Sequence, residues 1–202
     1  MDLKHLNGNI LCVIDVETTG LVVGKNEIIQ ICILPLNHRL EPDPEIMPFD
    51  MYIKPQYEID SHVKRTNRKL LAKAINMGVD PYYAAELFDA WVDGLHLKEG
   101  KRISPLAQNW AFDREFIKDW LGDENFTYRI DGRYRDLMSV ALFLNDVAAI
   151  HVEPYPFPKV NLRYLASQLK IDTEEERFHD AVYDCIVTAK VYKQMVQDSS
   201  YI

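Results

Sequence analysis

Cysteine is scarce in this chain, with three among 202 residues. Cys12, Cys32 and Cys185 are far apart and lie in apolar surroundings, so the sequence offers neither a disulfide framework nor a Cys-x-x-Cys metal pair. Reduced thiols in a cytoplasmic compartment are the expectation. Long hydrophobic runs are missing as well. The longest, residues 28–36, is broken by Gln30 and is too short to span a bilayer, so no membrane association is expected. The first residues, Met1-Asp2-Leu3-Lys4-His5, lack the basic-then-apolar pattern of a signal peptide. Cations are also in deficit: 23 Lys and Arg against 31 Asp and Glu, a net charge of −8. That argues against a protein that coats long stretches of nucleic acid through phosphate contacts. It does not exclude an enzyme gripping a few nucleotides. The one local reversal of sign starts at His62-Val63-Lys64-Arg65-Thr66-Asn67-Arg68-Lys69 and runs to Lys73 without an acid. It reads either as a solvated helix face or as a rim for phosphates.

What is present is a mixed pattern. Apolar runs at residues 10–16, 27–36 and 49–54, joined by short loops rich in turn residues, predict three adjacent antiparallel strands. From Pro81 the apolar residues Ala84, Ala85, Leu87, Phe88, Trp91 and Val92 recur at helical spacing. A short strand at 103–107, a helix at 112–121 stopped by Gly122, a strand at 134–136 and a helix at 137–149 follow. Three prolines make 151–158 an irregular loop, either a surface insertion or a shaper of substrate access. Helices at 162–169 and 180–195 complete the pattern. Without repeats or linkers, this predicts a single α/β domain over residues 1–202, a mixed five-stranded sheet flanked by helices on both faces.

The most informative junction is Asp15-Val16-Glu17-Thr18-Thr19-Gly20, directly after Ile10-Leu11-Cys12-Val13-Ile14. Side chains two apart on a strand share a face, so Asp15 and Glu17 point the same way, roughly 7 Å apart. Two carboxylates at the end of a buried strand repel each other and lose solvation. A hard divalent cation, which prefers oxygen ligands, is the usual compensation. The Asp-x-Glu spacing also occurs at Asp43, Asp113 and Asp172, but only the first copy follows an apolar strand and precedes a glycine turn.

Two other acidic positions stand out. Asp113, in Gln108-Asn109-Trp110-Ala111-Phe112-Asp113, falls in a helix's first turn, where an acid complements the helix dipole by roughly 0.3–1 kcal/mol whatever else it does. In Phe178-His179-Asp180-Ala181-Val182-Tyr183-Asp184-Cys185, Asp184 is an acid on a largely apolar helix, and His179 stays on the loop before it. A histidine there can take a proton from water near neutral pH. The spacing itself is weak, since His38 and Asp43 repeat it in a loop.

Together and in this order, these segments resemble the DEDDh family of 3′-to-5′ exonucleases, of the ribonuclease H-like superfamily. The first motif is matched by Asp15-Val16-Glu17-Thr18-Thr19-Gly20-Leu21, the second by Asn109 to Asp113 and the third by His179 to Asp184. Asn161-Leu162-Arg163-Tyr164-Leu165-Ala166 looks like the helix before the third, and the resemblance spans about residues 9–196. It implies that Asp15, Glu17, Asp113 and Asp184 hold two Mg²⁺ or Mn²⁺ ions and that His179 is the general base. Asp180 occupies the position where a sister branch carries tyrosine. The implied reaction releases nucleoside 5′-monophosphates from the 3′ end of single-stranded DNA or short RNA. Thr18 and Leu21 are implied to contact the terminal nucleotide, with Asn109 and Phe112 beside it; Leu21 and Phe112 would serve equally well as ordinary packing residues. Gln108 after Ala107 departs from the usual histidine after glycine, and Trp110 is bulky where small residues are common. Asp136 resembles a structural acid of the family. His62, His96 and His151 read as surface residues. A structure-selective RNA-trimming nuclease and an inactive module that binds nucleic-acid ends or docks on a polymerase are the competing readings. A homodimer and a polymerase-associated form are both open, the end of the chain at Ile202 favouring a free-standing enzyme. No motif separates DNA from RNA.

Overall fold

A run of apolar residues long enough to be covered on both sides puts β1 (Ile10–Thr18) at the centre of the sheet. β2 (Ile28–Pro35), buried throughout, and β3 (Phe49–Tyr52) continue the sheet antiparallel on one side. β4 (Ile103–Ala107) and the two-residue β5 (Arg135–Asp136) continue it parallel on the other. The order is β3-β2-β1-β4-β5, the mixed five-stranded sheet of an α/β fold. This computed structural model describes residues 3–198.

Eight helices clothe the sheet among the described residues: α1 (Ser61–Thr66), α2 (Arg68–Met77), α3 (Pro81–Gly94), α4 (Trp110–Leu121), α5 (Asp123–Arg129), α6 (Leu137–Ile150), α7 (Leu162–Gln168) and α8 (Ala181–Gln197). None is long and apolar enough to cross a membrane. Alternation along β1 sorts its side chains between two cores. Leu11 and Val13 join residues of α6, α7 and α8, including Leu144, Leu165 and Val187. Cys12 and Ile14 join α3 and α4 through Phe88, Trp110 and Phe116. Asp15 and Glu17 therefore continue the odd-numbered row that faces α8. All three cysteines are buried and free.

The structure adds to and shifts the expected elements. The basic stretch is two short helices, α1 and α2, meeting at Asn67. Helix α5 was not anticipated; it buries no residue, so it carries no apolar stripe to read. Helix α4 begins at Trp110 rather than 112, and β5 is shorter than the predicted strand. The segment between α6 and α7 is irregular, as its prolines require. It is anchored by Phe157, buried and tied to Asn145 by hydrogen bonds in both directions (2.8 and 2.9 Å).

Candidate active site

The end of β1 is pinned from both sides. Near its end Asp15 and Glu17 sit opposite Cys32 and Gln30 of β2, and the register slips between Glu17 and Thr18, which pairs with Ile28. The chain then turns at Thr19-Gly20. The Thr19 carbonyl accepts from the Asp60 N–H (2.9 Å), and the Thr19 hydroxyl accepts from the Glu27 N–H (3.0 Å). A Cβ on Gly20 would land in the Asp60 carboxylate and the Asn26 amide, so no larger residue fits without moving both.

Asp113 reaches β1 from the first turn of α4. It is buried, and its Oδ1 accepts the Val16 N–H at 3.0 Å, which lashes the helix to the strand between the two β1 acids. Asp184 arrives on the first turn of α8, which Asp180 caps by accepting the Tyr183 N–H (3.3 Å). Gln30 of β2 holds the same helix end through the Ala181 N–H (3.2 Å). His179 precedes the cap in the left-handed region (φ 70°), a conformation uncommon for a side chain larger than glycine. Its N–H donates to Asp184 Oδ2 (3.2 Å), and its Nδ1 lies 3.9 Å from Glu17 Oε1. Asn67, at the α1–α2 joint, donates to Glu17 Oε2 (3.3 Å).

These side chains line an open cleft of about 570 Å³. Asp15, Glu17, Asp113, His179 and Asp184 are all on its wall, with Thr18, Leu21 and Phe112. Leu21 is 79% exposed there, and the Phe112 ring packs on Phe116 at 4.9 Å between centroids. Asn109 is different: it takes a left-handed conformation (φ 71°), is exposed and is not among the lining residues. Gln108 takes the wall position instead, its amide nitrogen donating to the Val160 carbonyl (2.8 Å). Sequence reasoning missed Asp60, Val63, Thr66 and Asn67, and left His62 as a plain surface residue. All five line the cleft, brought there by α1 and the loop before it. Only the run of cations around them hinted at a rim.

The electrostatics are those of acids crowded without a counter-charge. Burial, then the charges of Asp113, Glu17 and Asp184, push the Asp15 carboxyl well above its usual range. Burial, with Asp184 and Asp113 next, pushes Glu17 up to about 8. Burial raises Asp113 despite its backbone donors, and raises Asp184 to about 6 against the relief given by the His179 N–H and Arg163. His179 moves the other way. Its ring is 62% exposed, yet partial desolvation, followed by the Arg163 charge, lowers its pKa and favours the neutral imidazole. Asp184 Oδ1 is buried with no hydrogen-bond partner. Among the described residues, Glu17, His179 and Asp184 each bring a ligand atom to within 4.8 Å of one another. An orphaned buried oxygen among mutually repelling carboxylates fits a hard divalent cation, which would satisfy the lone pair and neutralise the cluster.

A mixed sheet of this order, with acids on its central strand and on two flanking helices, is the ribonuclease H-like arrangement. The chain belongs to the exonuclease family whose model, RNase_T, matches residues 12–192, a divalent-metal-dependent family. Solved structures share the fold. The cell-death related nuclease CRN-4 is 21% identical at a TM-score of 0.69, over 93% of this chain and 64% of that one. The nuclease domain of 3′hExo, a DEDDh family member bound to rAMP, is 16% identical at a TM-score of 0.67, over 100% and 97%. E. coli exonuclease I, in a zinc-bound complex with single-stranded DNA, is 17% identical at a TM-score of 0.69, over 95% and 41%. The chain thus spans just under two thirds of the CRN-4 chain and less than half of exonuclease I. A comparison with curated proteins finds no match.

Proposed function

We propose that this nuclease removes nucleoside 5′-monophosphates from the 3′ end of single-stranded DNA or short RNA, acting as one domain with its core at about residues 9–196. Asp15, Glu17, Asp113 and Asp184 would hold two Mg²⁺ or Mn²⁺ ions. Bound there, divalent ions supply charge neutralisation of a phosphodiester and acidify water. The observation that carries the reading is Asp184, whose buried Oδ1 has no partner and which brings a carboxylate oxygen within 4.8 Å of ligand atoms of Glu17 and His179.

The protein's own groups divide the remaining work. His179 projects from a loop into the open cleft, where its imidazole can take a proton from water attacking phosphorus. Its lowered pKa keeps it unprotonated, and so competent as a base, at neutral pH. The Val16–Asp113 and His179–Asp184 backbone hydrogen bonds fix the acids, so little reorganisation accompanies the reaction. Leu21 and Phe112 offer apolar surface to the terminal base; such stacking contributes roughly 1–3 kcal/mol and tolerates any base. Thr18 stands on the same wall. Asn109, off the wall, would meet the strand only outside the cleft. That CRN-4 is called a nuclease, 3′hExo was solved with rAMP and exonuclease I with single-stranded DNA supports a nucleic-acid end as substrate.

The test uses short 5′-labelled single-stranded DNA and RNA with Mg²⁺, Mn²⁺ or EDTA. The expected result is a metal-dependent ladder that shortens from the 3′ end, absent in Asp15→Ala and strongly slowed in His179→Ala. Cleavage of an oligomer blocked at both ends would replace this reading with an internal, structure-selective nuclease. No cleavage of either polymer would leave an end-binding module.

A further inference from the structure

The loop that carries His179 is held by a chain of stacked groups that reaches outside the cleft. The guanidinium of Arg163, on α7, lies 4.8 Å from the centroid of the Phe178 ring, and Phe178 directly precedes His179. Phe178 meets Tyr183 edge-on, with centroids 5.4 Å apart at 90°. Arg177 covers the other ring at 4.5 Å, and Tyr183 directly precedes Asp184. The ends of this ladder are tied to the start of the loop. Arg163 pairs with Glu175 (3.6 Å), Arg177 with Glu174 (2.9 Å), and the Glu174 N–H donates to the Tyr183 hydroxyl (2.5 Å). Phe178 is buried, so it anchors the base-bearing loop directly before His179, and Arg163 lies against it.

Resting on the proposed role of His179 as the base, we infer that Arg163 is a positioning residue for that role. It is not among the residues lining the cleft, though its charge reaches Asp184 and His179. It contacts the loop at two points, the Phe178 ring and the Glu175 carboxylate. His179 sits in a left-handed backbone conformation that costs energy for a non-glycine residue, and it is largely exposed. A conformation of that kind persists only when neighbours over-determine it. On the far side of His179 the Asp180 cap and the Asp184 carboxylate do so; on the near side the Arg163–Phe178 stack does. Loosening it leaves the acids in place and misplaces the imidazole.

The experiment is a double-mutant cycle in the full chain, with turnover measured on a single-stranded oligomer alongside Mn²⁺ affinity and amide hydrogen exchange. Arg163→Gln is expected to lower kcat by about three- to tenfold, the range of a partly desolvated cation–π contact. KM stays unchanged, Mn²⁺ affinity falls by less than kcat because Arg163 also relieves the Asp184 charge, and exchange rises across residues 174–180. Arg163→Lys, which keeps a cation over the ring, restores much of the loss. Lys159→Gln, which removes the comparable Lys159–Tyr164 contact at 5.8 Å away from this loop, leaves kcat alone. In a His179→Ala background Arg163→Gln has no further effect. An equal loss in that background, or a rise in KM with kcat intact, overturns the inference, because Arg163 would then act on the substrate or the fold. Should His179→Ala itself leave kcat unchanged, the proposed base fails and takes this inference with it.

Discussion

Two acidic regions a short distance apart in the fold treat their carboxylates in opposite ways. At the junction of β5, α4 and α6, Asp136 accepts the Trp110 N–H (2.7 Å), the Asn109 N–H (3.4 Å) and the Met138 N–H (2.8 Å). One side chain thereby starts two helices, and its charge is spread over donors that would otherwise be orphaned. In the cleft, Asp15, Glu17, Asp113 and Asp184 face one another with few donors, and one oxygen has none. The saturated acid ties elements together. The unsaturated cluster carries mutual repulsion that a bound cation would relieve.

The sharpest way to break this contrast is to neutralise one acid of each kind. Asp184→Asn should lower nuclease activity by about a thousandfold or more, since such sites depend on preorganised charge. The same variant should raise the metal-free protein's stability at neutral pH by about 1–3 kcal/mol, because it removes a carboxyl held near 6 when the ordinary value is 3.8. Chemical unfolding in EDTA beside an activity assay reads both; a destabilised Asp184→Asn would show that the acid is structural after all. Asp136→Ala should behave in the opposite sense, costing about 2–4 kcal/mol in the same unfolding measurement as backbone donors lose their acceptor. Its activity per folded molecule should stay within about tenfold of the parent, a far smaller loss than at Asp184.

The smallest effect is a slope. Glu17 (about 8) and Asp184 (about 6) hold protons in the folded protein that the unfolded chain has already released. Their contribution to stability is therefore complete below the ordinary carboxylate range and is lost as pH rises through those folded values. Without metal, Tm should fall between pH 5 and 8. Saturating Mn²⁺, which binds the deprotonated acids, should flatten or reverse the trend. A Tm that rises with pH in EDTA would mean the cluster is already compensated by the protein.

The strand ends and long helices were legible because β1, β2, α3 and α8 carry strong apolar periods, and the five residues of the cleft were legible because each lies at the end of an apolar strand or at the start of a helix. The antiparallel pairing of the first three strands followed from their short loops and matches the sheet. Other parts had no local signal. Helix α5 buries nothing, and α1 and α2 bury only Val63, Leu70, Leu71 and Ala74, so their pattern is swamped by charge. The Asn67–Glu17 contact and the close fit of Gly20 against Asp60 join residues distant in the chain, which no window of sequence can show. Asn109 matched a motif but lies off the cleft wall, because the left-handed turn that starts α4 carries it outward.

The placement of the acids also sets a timetable. Asp15 comes from the first strand and Asp184 from the last helix, and α8 packs on β1 and β2. During vectorial synthesis the chain can build its sheet and most of one core before α8 emerges, yet the cleft still lacks one acid and the histidine loop. Such long-range closure is among the slowest steps in folding. The complete set of cleft acids and the histidine loop thus comes together only when the closing helix docks on the sheet.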